Sequence, residues 1–181
     1  MGSPDVDMVS FTGSTGVGVR ITEVGAATMT RLLLELGGKG ASLIFDDADL
    51  DAAIAGTGST WAFHSGQICT APTRVLVQRG VYDEVVERLA KYAGALKVGD
   101  PLERDTVVGP LITETHRDRV RAHIARGVDS GAGVALGGGQ ARGVDDGEVA
   151  GVPDVLQPGR GRVEAEVVAR DGDAQVDGGV R

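Results

Sequence analysis

"MVSFTGSTGVGVRITEV", residues 8–24, decides the fold class. An apolar run (Met8, Val9, Phe11) stops at Gly13, and beyond it Val17, Ile21 and Val24 recur at helical spacing. Side chains alternate along a strand and return every three or four residues along a helix, so strand, glycine turn and helix are expected in succession. The pattern repeats outward. "RLLLELGGKG" (31–40) is a short apolar run closed by glycines, read as a buried strand, and "ASLIF" (41–45) is read as another. "DDADLDAAIAGTGSTWAF" (46–63) opens with Asp residues able to cap a helix, with Leu50, Ile54 and Trp61 on its buried side. "TRVLVQ" (73–78) reads as a strand. "VYDEVVERLAKYAGALKVGD" (81–100) reads as an amphipathic helix, with Val81, Val85, Leu89 and Leu96 near one face. "TETHRDRVRAHIARGVDSG" (113–131) is a further helix and "GVALGGG" (133–139) a short strand. This alternation predicts an α/β fold with a largely parallel sheet.

Composition narrows the function classes. The chain has 181 residues, 41% hydrophobic but only 3% aromatic, and suits one domain or pieces of two. A single cysteine excludes an internal disulfide framework and fits a reducing compartment. The start, "MGSPDVDMVSF", has neither the basic opening nor the apolar segment of a signal peptide, and no apolar run approaches a membrane span. A net charge of −8 without a basic stripe argues against nucleic acid as a partner. A cytoplasmic protein is expected. No metal-ligand cluster is visible.

The character changes after Gln140. Residues 141–181 lack aromatics, Lys, Ser, Thr and Ile, and hold eight Gly with nine acidic against five basic residues, a net −4. Their valines keep no sustained period. The segment is read as a low-complexity, disordered or loosely attached tail.

Two stretches carry chemistry. In "FTGSTGVG" (11–18) glycines between strand and helix would let backbone N–H groups approach a phosphate at a helix N-terminus. It is no Walker A loop, because Val19 stands in place of the Lys, and as a dinucleotide fingerprint it lacks a third glycine. On spacing alone a plain strand-to-helix turn accounts for it equally well. "FHSGQICTAP" (63–72) holds the one cysteine, Cys69, on a turn of small and polar residues. Taken singly, a lone cysteine is more often a small buried hydrophobe than a nucleophile.

Together the motifs are more specific. "VSFTGSTGVG", "LELGGKG" and "FHSGQICTAPTR", in this order and with 34 residues from Glu35 to Cys69, resemble the aldehyde dehydrogenase superfamily. "FDDADLDAAI" and "VGDPLERDTVVGPLIT" are similar to it as well, and the resemblance covers roughly residues 4 to 140. It implies oxidation of an aldehyde to a carboxylic acid with NAD or NADP. Cys69 would be the nucleophile, passing through a thiohemiacetal and a thioester, and Glu35 the general base for deacylation. The Cys69 N–H would help hold the oxyanion. Gly13 and Ser14 would contact the cofactor pyrophosphate, and Gly37 would lie near the nicotinamide. Gly38, Lys39, Gln67 and Thr70 are read as turn-forming, His64 as a variable position, and His116 and His123 as a solvated helix face.

The resemblance also implies an incomplete fold. A full family member is more than twice this length. Residues 1–36 would be the end of the cofactor-binding domain, residues 37–140 the front part of the catalytic domain, and residues 141–181 the tail. Segments completing the oxyanion hole, gripping the adenosine ribose and forming the homo-oligomer would be missing. A GC-rich gene read out of frame would give the bias of the tail. The competing reading is a non-catalytic remnant, inactive as an isolated chain.

Overall fold

The computed structural model describes residues 2–137 and 155–157. The chain divides at Gly38 into two compact units. The first is a β–α–β unit. Strand β1 (Met8–Gly13) and strand β2 (Arg31–Leu36) run parallel, with Thr12 opposite Glu35 and Gly13 opposite Leu36. Helix α1 (Thr15–Ala26) connects them. Ser14 caps it, its Oγ accepting from the Val17 N–H at 3.3 Å.

Burial in this unit departs from the apolar pattern. Helix α1 buries Gly18, Ile21 and Gly25, whereas Val17 stays 47% exposed. A Cβ on Gly18 would stand 2.8 Å from the methyl carbons of Leu36, and one on Gly25 would stand 3.5 Å from Leu32. The helix meets the strands through its glycines, which turns Val17 outward. Strand β2 is covered on one face only. Leu32, Leu34 and Leu36 are half-buried, while Arg31, Leu33 and Glu35 are exposed, so it is not the fully buried strand its composition suggests.

The second unit begins at Lys39. Strands β3 (Ala41–Ile44) and β4 (Arg74–Val77) form a parallel pair, Ser42 opposite Val75 and Ile44 opposite Val77. Helix α2 (Leu50–Ala62) joins them, and Asp49 caps it through a 3.1 Å bond from the Ala52 N–H. Helix α3 (Tyr82–Gly94) follows β4, with Asp83 and Glu84 in its first turn and Lys91 in its last, each sign matching the helix dipole. Helix α4 (Glu114–Asp129) is capped by Thr113. Strand β5 (Gly133–Leu136) pairs antiparallel with β6 (Val155–Gln157).

Ile44, Ile54, Trp61, Val75, Val77, Val85 and Leu89 form the core of this unit, with Leu50 and Val81 against its edge. The periodicities of α2 and α3 therefore point inward as expected. Leu96 lies beyond the end of α3 and is half-buried. Pairing among the described residues is parallel in two two-stranded sheets and antiparallel in the third. Of the expected tail, only residues 155–157 are described, and they are strand rather than coil. The rest of it lies outside the described residues.

Candidate active site

The expected site residues fall in both units, Gly13, Ser14, Glu35 and Gly37 in the first and Cys69 in the second. Gly13, Ser14, Glu35 and Gly37 gather at the carboxyl ends of β1 and β2, where parallel α/β sheets bind ligands. A Cβ on Gly13 would stand 2.5 Å from the Phe11 ring, which explains a glycine there. The first turn of α1 carries no acidic residue, and Thr15 and Gly16 are exposed. A Cβ on Gly16 would enter open space. This helix end therefore offers N–H groups and a favourable dipole to an anion, and its residues fit a pyrophosphate. A Cβ on Gly37 or Gly38 would meet nothing within 4 Å among the described residues, so packing does not demand a glycine at either. Glu35 is exposed on the face of β2 turned away from α1.

Cys69 is exposed on the link between α2 and β4. Helix α2 runs into a 3-10 turn, Phe63–Gly66, in which His64 (φ 49°), Ser65 (φ 56°) and Gly66 (φ 77°) are all left-handed. Both the backbone N–H and the side-chain amide of Gln67 donate to the His64 carbonyl at 3.1 Å. A β-turn follows, the Ala71 N–H donating to the Ile68 carbonyl at 3.2 Å, with Cys69 and Thr70 at its corners. Trp61, 2% exposed, donates its indole N–H to the Pro72 carbonyl at 3.1 Å and fixes the far side of the turn. Among the described residues the Cys69 N–H has no hydrogen-bond partner. A thiol on a convex turn beside an available backbone donor can attack a carbonyl carbon and hold the oxygen that becomes negative.

The His64 ring packs edge-on against Phe63, centroids 4.2 Å apart. His116, in the first turn of α4, is half-buried rather than on a solvated face, and its enclosed Nε2 has no hydrogen-bond partner among the described residues. His123 Nδ1 lies 3.2 Å from an Arg126 nitrogen. Among the described residues no cluster of His, Cys, Asp and Glu could hold a metal ion, and no helix is long and apolar enough to cross a membrane. One contact has no local signature in the sequence. Ser65 Oγ donates to the carbonyl of Gly109, 44 positions away, at 2.8 Å. The signal in the sequence was "VVGPLIT", conspicuous as a motif but without a role of its own.

The aldehyde dehydrogenase family matches residues 1–157, most of the chain. The chain belongs to that family. The match runs past Gln140 and takes in β6. Lactaldehyde dehydrogenase of Escherichia coli is 44% identical over 138 residues, 76% of this chain and 29% of that protein. Betaine aldehyde dehydrogenase of Vibrio vulnificus is 42% identical over 146 residues, 80% of this chain and 30% of that protein. An aldehyde dehydrogenase from Bacillus cereus superposes with TM-score 0.80 at 38% identity, covering 86% of this chain and 31% of that one. Betaine aldehyde dehydrogenase from Staphylococcus aureus, solved with NAD+, superposes with TM-score 0.80 at 35% identity over the same shares. The chain thus spans under a third of the length of these relatives. The family uses NAD or NADP, and its fold is the α/β fold of which the two units are a part.

Proposed function

We propose that this chain carries the nucleophile and the deacylation base of an NAD(P)-dependent aldehyde dehydrogenase. The observation that supports this best is Cys69, exposed on its turn with a backbone donor available, in a chain of this family. As thiolate, Cys69 Sγ attacks the aldehyde carbon, and the C=O pair moves onto oxygen. The Cys69 N–H steadies that oxyanion in the thiohemiacetal. The cofactor, when bound, supplies the acceptor for the hydride leaving that carbon, and a thioester remains. Glu35 then takes a proton from water as the water attacks the thioester carbon. The tetrahedral adduct collapses to carboxylic acid and releases Cys69. Ser14 and the first N–H groups of α1 would hold the pyrophosphate, with Gly13 in the turn before them and Gly37 leaving room for backbone approach. Cytoplasmic location and assembly of longer relatives into homo-oligomers belong to the same reading.

Alkylation tests the nucleophile. Iodoacetamide should label Cys69 faster in the native chain than in denaturant once exposure is allowed for. A native rate equal to or below the denatured one would remove the functional reading of the thiol. The second reading is a non-catalytic remnant, inactive as an isolated polypeptide. The two readings agree on the family and differ only on whether these 181 residues turn over substrate alone.

A further inference from the structure

We propose that Ser65 is a positioning residue for the Cys69 thiol, acting through its hydroxyl's hydrogen bond to the Gly109 carbonyl. The inference rests on the reading of Cys69 as nucleophile and adds the device that holds it in place. Consecutive left-handed residues persist only where surrounding contacts over-determine them, and His64, Ser65 and Gly66 form such a run three residues before the thiol. The Gln67 bonds to His64 are local and move with the turn. Ser65 reaches out of it to a segment remote in sequence.

That segment is built to be a fixed point. Val108 and Leu111 are buried on either side of Gly109. The Val107 and Val108 N–H groups both donate to the Lys97 carbonyl, at 2.9 and 3.0 Å, and the Gly99 N–H donates back to the Val108 carbonyl at 3.1 Å. Lys97 and Asp105 close the intervening loop with a 2.6 Å ion pair. Pro110 restricts the residue before it to extended conformations, which narrows the directions open to the Gly109 carbonyl. A carbonyl held this firmly can set where the Ser65 backbone lies, and with it the start of the Cys69 turn. The "VVGPLIT" motif thereby acquires a role as a brace for the thiol.

The test compares the 181-residue chain with Ser65→Gly and Ser65→Asn. Glycine accepts the left-handed backbone but removes the donor, whereas asparagine tolerates that backbone and keeps one. Cys69 labelling by iodoacetamide is followed from about pH 6 to pH 10, across the ordinary thiol range, with emission of the buried Trp61 as the report on local folding. Ser65→Gly should shift the native rate towards the denatured one by about fivefold, the factor that one typical net hydrogen bond represents, while Ser65→Asn keeps the wild-type profile. The proposal fails if Ser65→Gly labels like wild type, or if both variants shift alike. If Ser65→Gly loses the emission of buried Trp61, Ser65→Asn decides alone: a wild-type profile supports the brace and an altered one overturns it. Failure of the nucleophile reading itself appears earlier, in the wild-type chain, as equal native and denatured rates.

Discussion

Gly58 of α2 lies under the ring of Tyr92 of α3, so close that a Cβ on Gly58 would stand 2.5 Å from two ring carbons. The ring of α3 packs directly on the backbone of α2 there. Gly58→Ala should therefore destabilise the second unit by about 1–3 kcal/mol, the usual cost of overpacking, despite alanine's better helix propensity. Urea unfolding followed by Trp61 emission measures it, and a stabilised variant would show that the ring yields freely.

Leu89 is 2% exposed among Ile54, Trp61 and Val85. Leu89→Ala should cost about 2–5 kcal/mol through lost burial and the cavity left behind. The same unfolding experiment reads this loss, and it should far exceed that of Leu43→Ala, since Leu43 is 59% exposed.

The Lys97–Asp105 pair predicts a pH dependence. The Lys97 hydrogen bond holds the Asp105 carboxyl below the usual carboxylate range, and the Asp105 bond raises the Lys97 ammonium above its own. Asp105 contributes stability above the unfolded carboxylate value of about 4, lost as pH falls through its lower folded value. Lys97 contributes below the unfolded lysine value of about 10.4, lost as pH rises through its higher folded value. Both groups are exposed, so the effect is local and weakened by salt. Asp105→Asn should speed amide exchange at Val107 and Val108 near neutral pH and flatten the acid limb of that protection. Unchanged exchange would show that the backbone bonds hold the loop alone.

Purified residues 1–181 should show no measurable aldehyde oxidation. Positioning the nicotinamide against the thiohemiacetal can supply roughly 7–11 kcal/mol of the barrier, and losing one oxyanion donor alone costs a factor of about 10²–10³. By the family resemblance, both contributions would draw on segments outside the third or less of the relatives' length that this chain spans. Formation of NADH or NADPH with several aldehydes is compared against Cys69→Ala. Turnover that vanishes in that variant would make the isolated chain a working enzyme.

Much of the fold was legible in periodicity because the core is apolar: Val85 and Leu89 on α3, and Ile54 and Trp61 on α2, face where their spacing says. On helix α1 the spacing located the element and its buried Ile21, but not the rest of the contact face, which is Gly18 and Gly25 and which a hydrophobic count scores as nothing. Strand β2 is harder to read, because its unbroken apolar run fits cover on both sides whereas only one face is covered. For the candidate site, motif spacing pointed to Cys69 and Glu35. Ser65 was silent, since its meaning lies in a carbonyl 44 positions away, and no local pattern encodes a contact of that separation.

The left-handed run before the thiol also bears on how the protein can change. A non-glycine residue in that region costs roughly 1–2 kcal/mol, and His64 and Ser65 each occupy it. His64→Gly would relax that strain, so a screen for heat resistance should favour replacements at this bend. If the bend sets the thiol's reach, those hardier variants would gain endurance and lose reactivity at Cys69. Selection for toughness and selection for chemistry would then pull one short loop in opposite directions.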